Sequence, residues 1–115
     1  IPINELEKLY DKKKIWRNTV NQELKKKYKK IFKLIDTIIF LKVPSFKHVF
    51  KWRLLQEKKL RITSKGKKTM SDNQIKKFIM FYERLTKHML KNLSNKADCV
   101  IKIDTKHKLQ SIKFN

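Results

Sequence analysis

Two short apolar runs constrain the fold of this chain more than any other feature. Thr37–Val43 and Asp98–Ile103 are rich in β-branched and other apolar residues, are too short for helices, and lack the regular polar alternation of a strand with one wet face. This pattern predicts strands that are buried on both faces, as in a parallel sheet. We therefore place core strands at about 36–43 and 97–103.

Helical periodicity fills the segments beside these runs. Apolar residues recur at helical spacing from Ile15 to Ile35, which predicts a packed helix. Ser45 can cap a second helix, and Ser71 with Gln74 forms a capping box that begins a third. We place these last two helices within about 45–93.

The connection between those two helices contains the only glycine of the chain. We expect a mobile connection there, since Thr63–Thr69 breaks the helical pattern. Gly66 to Thr69 looks like the end of a phosphate-binding loop, but Arg61 stands where the first glycine belongs and no strand precedes it. The segment is therefore not a phosphate-binding loop.

Alternation of helices with apolar strands predicts an α/β fold, in which helices layer a parallel sheet. Leu109–Phe114 alternates in polarity and predicts a final edge strand. Two core strands alone would leave an edge and a face uncovered. We therefore expect either a further segment or a second copy to cover them, and the further segment is the simpler solution.

The charge balance is strongly basic, with 31 Lys and Arg against 10 Asp and Glu and a net charge of +21. Such a charge suggests a nucleic-acid binder. However, 27 of the 31 are lysines and accompany abundant Ile, Asn and Phe, a combination that A/T-rich codons produce. We interpret most lysines as solvated surface. The four arginines are more informative, because lysine cannot reproduce a planar bidentate guanidinium.

Three of the informative charges lie on the helix after Ser45. Arg53 and Glu57 fall within its apolar stripe, and Arg61 follows one turn later. Arg53 can reach a bound phosphate, with Gln56 or Glu57 fixing its orientation, and Arg61 can close over a transferring phosphoryl group. The alternatives are a structural ion pair between Arg53 and Glu57, and a solvated helix end at Arg61.

Arg17 and Asn21 lie one turn apart on the apolar side of the first long helix, and Trp16 precedes them. A guanidinium beside an amide can bind a small carboxylate substrate. Structural cross-linking to a loop is equally compatible with the spacing.

Other familiar sites are not predicted. The three histidines are far apart and have no companion ligands at metal-binding spacing, so we expect no metal site among them. Cys99 lies in an apolar run, where a small buried thiol is expected rather than a nucleophile. A single cysteine is typical of a reducing, cytoplasmic setting. No run reaches the roughly 20 apolar residues that cross a bilayer, so we expect no membrane partner.

A set of motifs along the chain resembles one family of enzymes. Trp52-Arg53-x-x-Gln56-Glu57 and the later Tyr82-x-Arg84-Leu85-Thr86 are its most specific elements. The full order is Asn4-x-Leu6-Glu7, Trp16-Arg17-x-x-Val20-Asn21, Phe40-Leu41-Lys42-Val43-Pro44, Trp52-Arg53-x-x-Gln56-Glu57-x-x-Leu60, Met70-Ser71-Asp72, Phe78-x-x-x-Tyr82-Glu83-Arg84-Leu85-Thr86-x-His88 and Ala97-Asp98-x-Val100. Together these motifs resemble the D-glycerate 3-kinase family over nearly the whole chain.

The resemblance implies a P-loop kinase, a P-loop NTPase with a three-layer parallel sheet and helices on both faces. Residues 1–115 would form its C-terminal half, and the phosphate loop and the acidic metal-positioning residues are expected upstream of Ile1. ATP and Mg²⁺ would serve transfer to D-glycerate or a similar hydroxy acid. The resemblance places Arg53, Gln56, Glu57 and Arg61 on the lid side and Trp16, Arg17 and Asn21 near the substrate.

Three alternatives stay open. A related kinase of the same fold could use another small substrate. A basic module could bind nucleic acid, with steep dependence on salt. An interaction domain could keep the fold without the chemistry.

Overall fold

The computed structural model describes residues 1–65 and 68–115. The mobile connection predicted around Gly66 therefore lies partly outside the described residues, which exclude Gly66 and Lys67. The chain forms two compact units, Ile1–Ile38 and Ile39–Asn115. In the described part of the chain, no helix is long and apolar enough to cross a membrane.

The first unit is helical. The side chain of Asn4 caps its first helix by accepting a hydrogen bond from the Glu7 amide, 3.0 Å away. The following helix continues through one π-helical turn into a short α-helical end. The elements are α1 (Glu5–Tyr10), α2 (Ile15–Glu23), the π-helical turn (Leu24–Tyr28) and α3 (Lys29–Phe32).

The helical stretch predicted for Ile15–Ile35 forms over Ile15–Phe32, but the prediction that it is packed is wrong. No residue of α2, the π-helical turn or α3 is buried. Its exposed large apolar side chains run from 41% exposed at Val20 to 80% at Leu34, and Leu24 is half-buried. The buried residues described in this unit are Leu6, Glu7 and Asp11, which belong to α1 and its C-terminal end.

The second unit is mixed α/β and contains a three-stranded sheet in the order β1-β2-β3. β1 and β2 are parallel, as the sequence predicts, and two helices form the connection between them. The predicted final strand also forms, and it pairs antiparallel with β2. The elements are β1 (Ile39–Lys42), α4 (Phe46–Thr63), α5 (Asp72–Asn92), β2 (Cys99–Ile103) and β3 (Leu109–Phe114).

The core of the second unit lies on one face of the sheet. Phe40, Ala97 and Val100 are buried, and the C-terminal part of α5 packs on them through Met89, Leu90 and Leu93. Cys99 is also buried, as predicted.

The prediction that the first strand is buried on both faces is wrong. The register aligns Ile39 with Phe114 through Cys99, and Leu41 with Ile112 through Ile101. These four outer side chains share the face opposite Phe40, which we call the open sheet face. Their exposure runs from 52% at Ile112 to 78% at Phe114. A strand thus forms at the predicted apolar run, but in the described residues α5 packs only on its Phe40 face.

Local signals at the two long helices have different outcomes. The capping box is confirmed, because the Ser71 hydroxyl accepts from the Gln74 amide and the Gln74 side chain accepts from the Ser71 amide. Ser45 occupies the N-cap of α4, but its side chain makes no capping hydrogen bond. Its hydroxyl lies 2.9 Å from Nδ1 of His48 instead. The partner of the Ser45 hydroxyl is therefore the His48 imidazole, one turn later in the chain, and not a backbone amide of the first turn of α4.

Candidate functional site

The predicted lid-side residues lie along α4, and two of them form an ion pair one turn apart. Nη1 of Arg53 donates to Oε2 of Glu57 over 2.7 Å. The Glu57 side chain is only 2% exposed, whereas that of Arg53 is 29% exposed. The Arg53 guanidinium also lies 6.0 Å from the ring centroid of Phe78 on α5. Arg53 is therefore oriented by Glu57 and Phe78 while part of its surface faces solvent.

Arg61 and Glu57 both bind the backbone of Met70, the residue before the N-cap of α5, and we call this region the α4–α5 corner. The amide of Met70 donates to Oε1 of Glu57 over 2.6 Å. The carbonyl oxygen of Met70 accepts from Nε of Arg61 over 3.0 Å and also from its Nη2. Nη1 of Arg61 lies 3.0 Å from Oδ1 of Asp72, in the first turn of α5. The backbone of Met70 is thus held by Glu57 through its amide and by Arg61 through its carbonyl oxygen. Both contacts fix the position at which α5 begins.

Glu57 carries its negative charge at neutral pH. The hydrogen bond from the Met70 amide, and then the hydrogen bond from Arg53, lower the pKa of Glu57 below its ordinary value despite the opposing effect of burial. A carboxylate with these donors holds the Arg53 guanidinium in one orientation.

A cavity of about 330 Å³ opens beside this ion pair. Arg53, Gln56 and Lys59 contribute two cations and an amide to its wall, and Thr63 contributes a hydroxyl. Glu57 and Leu60 complete the lining. The volume lies at the lower end of small-ligand sites. Its balance of donors suits a small anion such as a phosphate group.

A second cavity, of about 400 Å³, lies at the carboxyl ends of the parallel strands. In open α/β sheets ligands bind at this edge. The sequence interpretation missed its polar lining, although all of these residues except Gln110 of β3 end or directly follow the two predicted parallel strands. The lining is Lys42, Val43, Pro44, Lys102, Ile103, Asp104, Thr105 and Gln110.

An aromatic contact connects α4 to the turn that borders this second cavity. The rings of Trp52 and His107 stack with centroids 4.2 Å apart and an interplanar angle of 14°. Oδ1 of Asp104 accepts from the amides of Lys106 and Lys108, each over 2.9 Å, and shapes the turn. The stack therefore holds the turn against the same helix that carries Arg53.

The predicted substrate-side residues lie in the first unit, where Arg17 already has partners. Its Nε donates to Oδ2 of Asp11 over 2.8 Å, and its Nη2 donates to the Asp11 carbonyl oxygen over 2.9 Å. Nη1 lies 3.5 Å from Oε2 of Glu7. These contacts favour the structural cross-link that the spacing left open. Trp16 and Asn21 are exposed.

Asp11 is the centre of that cross-link. Its carboxylate also accepts from the amides of Trp16 and Arg17, over 2.8 and 3.1 Å, and so caps α2. Burial alone would raise the pKa of Asp11, but the hydrogen bonds from Arg17 and from these amides outweigh it and lower the pKa.

No group of three or more His, Cys, Asp and Glu side chains is placed to hold a metal ion in residues 1–65 and 68–115. Searches against protein-family models, curated proteins and solved structures found no match to this chain.

Proposed function

We propose that this chain is the C-terminal, lid-side part of an ATP-dependent small-molecule kinase that phosphorylates a hydroxyl of D-glycerate or a similar hydroxy acid. The motif resemblance motivates the choice of reaction. The parallel strand pair, its helical connection and the cavity at the carboxyl ends of the strands are compatible with it.

The observation that carries the proposal is the arrangement around Arg53. Its guanidinium is held by a buried carboxylate at 2.7 Å, yet it lines a cavity together with Lys59 and Gln56. A cation that is already oriented loses little freedom when it binds an anion. This is the property that a phosphate-clamping arginine requires.

ATP, when bound, supplies the γ-phosphoryl group. In the proposed role Arg53 and Lys59 contact phosphate oxygens, and Glu57 keeps the guanidinium in position without contacting the nucleotide. Arg61 has two hydrogen bonds to the Met70 carbonyl oxygen and an ion pair with Asp72. Its proposed contribution is to hold the α4–α5 corner, so that the cavity wall stays in place.

The hydroxy acid would be bound by its carboxylate. Arg17 remains the proposed substrate-side cation together with Trp16 and Asn21, but its partners Asp11 and Glu7 neutralise it in this structure. Substrate binding through Arg17 would therefore require a carboxylate to compete with Asp11.

The experiment uses the complete polypeptide that contains this chain. It is incubated with ATP, Mg²⁺ and a panel of small hydroxy acids, and both ADP and the phosphorylated acid are measured. We expect D-glycerate to give equal amounts of the two products. A different preferred acceptor would identify a related kinase, whereas no acceptor-dependent ADP formation with any member of the panel would refute the kinase proposal.

A further inference from the structure

We propose that the stretch Ile15–Ile35, which is helical over Ile15–Phe32 and which we call the basic amphipathic stretch, docks on a membrane surface that contains anionic lipid. This proposal does not rest on the kinase proposal, although it assigns Trp16 to the lipid surface rather than to the substrate. It also departs from the expectation that the chain has no membrane partner. It depends on burial, charge and aromatic content in the first unit.

The first observation is that the apolar side of this stretch is exposed. None of the residues in α2, the π-helical turn and α3 is buried. Helices in proteins gain most of their stability by covering an apolar face. The exposed apolar side chains are Ile15, Trp16, Val20, Tyr28, Ile31, Phe32, Leu34 and Ile35.

The second observation is the charge of the same stretch. Residues 15–35 contain seven basic residues and one acid, Glu23, which gives a net charge of +6. Glu23 pairs with Lys27 over 3.0 Å. The other lysines, all exposed, are Lys25, Lys26, Lys29, Lys30 and Lys33. The stretch therefore attracts a surface of negative charge.

The combination favours lipid over other partners. Nucleic acid would neutralise the lysines but would leave the aliphatic side chains uncovered. A second copy of the chain brings another +21 charges, which oppose association. An interfacial helix uses both properties, because its lysines meet lipid headgroups while aromatic and aliphatic side chains enter the boundary of the acyl chains. Trp16, Tyr28 and Phe32 supply the aromatic groups that favour this boundary.

The docked helix would lie in the plane of the membrane surface. Its apolar side chains would enter only the outer part of the bilayer, about 5–10 Å deep.

The test is co-sedimentation of the full chain with vesicles of phosphatidylcholine, with and without phosphatidylglycerol. We expect binding only to the vesicles with phosphatidylglycerol, and weaker binding as salt rises. In a Trp52→Phe background, the fluorescence of Trp16 should shift to shorter wavelength on binding. An unshifted spectrum with bound protein would contradict insertion of the helix.

Two variants separate the charge from the apolar side. Replacing Lys26, Lys29 and Lys30 together with Gln should weaken binding about a hundredfold, since each lysine near an anionic surface contributes about a fivefold factor. Ile31→Ser with Phe32→Ser should weaken it at least about tenfold. None of the replaced residues is buried, so the circular dichroism spectrum of the full chain should stay unchanged.

The matched control removes the same charge elsewhere. Lys51→Gln, Lys76→Gln and Lys91→Gln replace three exposed lysines of α4 and α5 and should leave vesicle binding within about twofold. Equal losses in both triple variants would show nonspecific attraction and overturn the proposal. Unchanged vesicle binding by the Ile31/Phe32 variant would also overturn it. The same holds if the chain binds homopolymeric RNA more tightly than vesicles at the same salt, with equal sensitivity to the variants.

Discussion

The amide nitrogen of Met70 donates a hydrogen bond to Oε1 of Glu57, thirteen residues earlier in the chain, over 2.6 Å. The other oxygen of the same carboxylate accepts from Arg53. Arg61 binds the carbonyl oxygen of Met70. The position of both lid-side arginines and the start of α5 therefore depend on one buried acid and one backbone residue.

Glu57→Ala should lower the melting temperature by about 10 °C, because it leaves the Met70 amide and the Arg53 guanidinium without their acceptor. Thermal unfolding followed by circular dichroism at neutral pH measures the effect. Lys87→Gln is the control, since Lys87 and Glu83 form an i,i+4 pair at 2.7 Å with the lysine about half exposed. It should change the melting temperature by less than about 3 °C. Similar losses of melting temperature in the two variants would mean that the contacts of Glu57 stabilise the α4–α5 corner no more than an exposed ion pair does.

Stability should depend on the protonation of Glu57. The pKa of Glu57 is lowered in the folded chain, so the unfolded chain binds the proton more tightly. Its contribution is therefore fully present above the unfolded pKa, near 4.3, and is lost as pH falls through the lower, folded pKa. Melting temperatures between about pH 7 and 2 should fall less steeply below pH 4 for Glu57→Gln than for the unchanged chain. Parallel curves would exclude this linkage.

Arg53→Lys should lower kcat of the complete kinase about a hundredfold, because lysine keeps the charge but loses the planar guanidinium. The melting temperature should change far less than the rate. Lys76→Gln is the control, as Lys76 is exposed on α5 and belongs to none of the kinase motifs, and it should leave kcat within about twofold. A stability loss in Arg53→Lys that accounts for the whole loss of activity would assign Arg53 a structural role.

The stack between Trp52 and His107 should be measurable as a coupling energy. His107 has a positive φ of 61°, so Asn, which tolerates this conformation, is a suitable replacement. A double-mutant cycle with Trp52→Leu and His107→Asn, followed by urea unfolding, should give a coupling of about 1 kcal/mol. Additive single effects would show that the rings touch without stabilising the turn.

Features determined by near neighbours were predictable from the sequence. The Ser71 capping box needs only a residue three positions away, and it forms as predicted. The parallel pairing of β1 and β2 followed from their apolar runs and the helices between them. The Arg53–Glu57 pair was one of the two alternatives that its i,i+4 spacing left open.

Features that depend on distant backbone groups were not predictable. Met70 contributes to the corner through its amide and carbonyl, which its side chain does not reveal. Ser45 had an alternative partner in His48, so its hydroxyl left the backbone uncapped. The burial of Ile39 and Leu41 required a covering element, and strand composition alone does not state whether one is present.

The open sheet face and the net charge have opposite effects on the association of copies of this chain. Ile39, Leu41, Ile112 and Phe114 present an adhesive apolar surface, while the net charge of +21 keeps copies apart. Salt screens that repulsion within about 10 Å at 0.1 M and leaves the apolar attraction in place. Ionic strength, rather than loss of folded structure, would then decide whether a concentrated preparation stays clear.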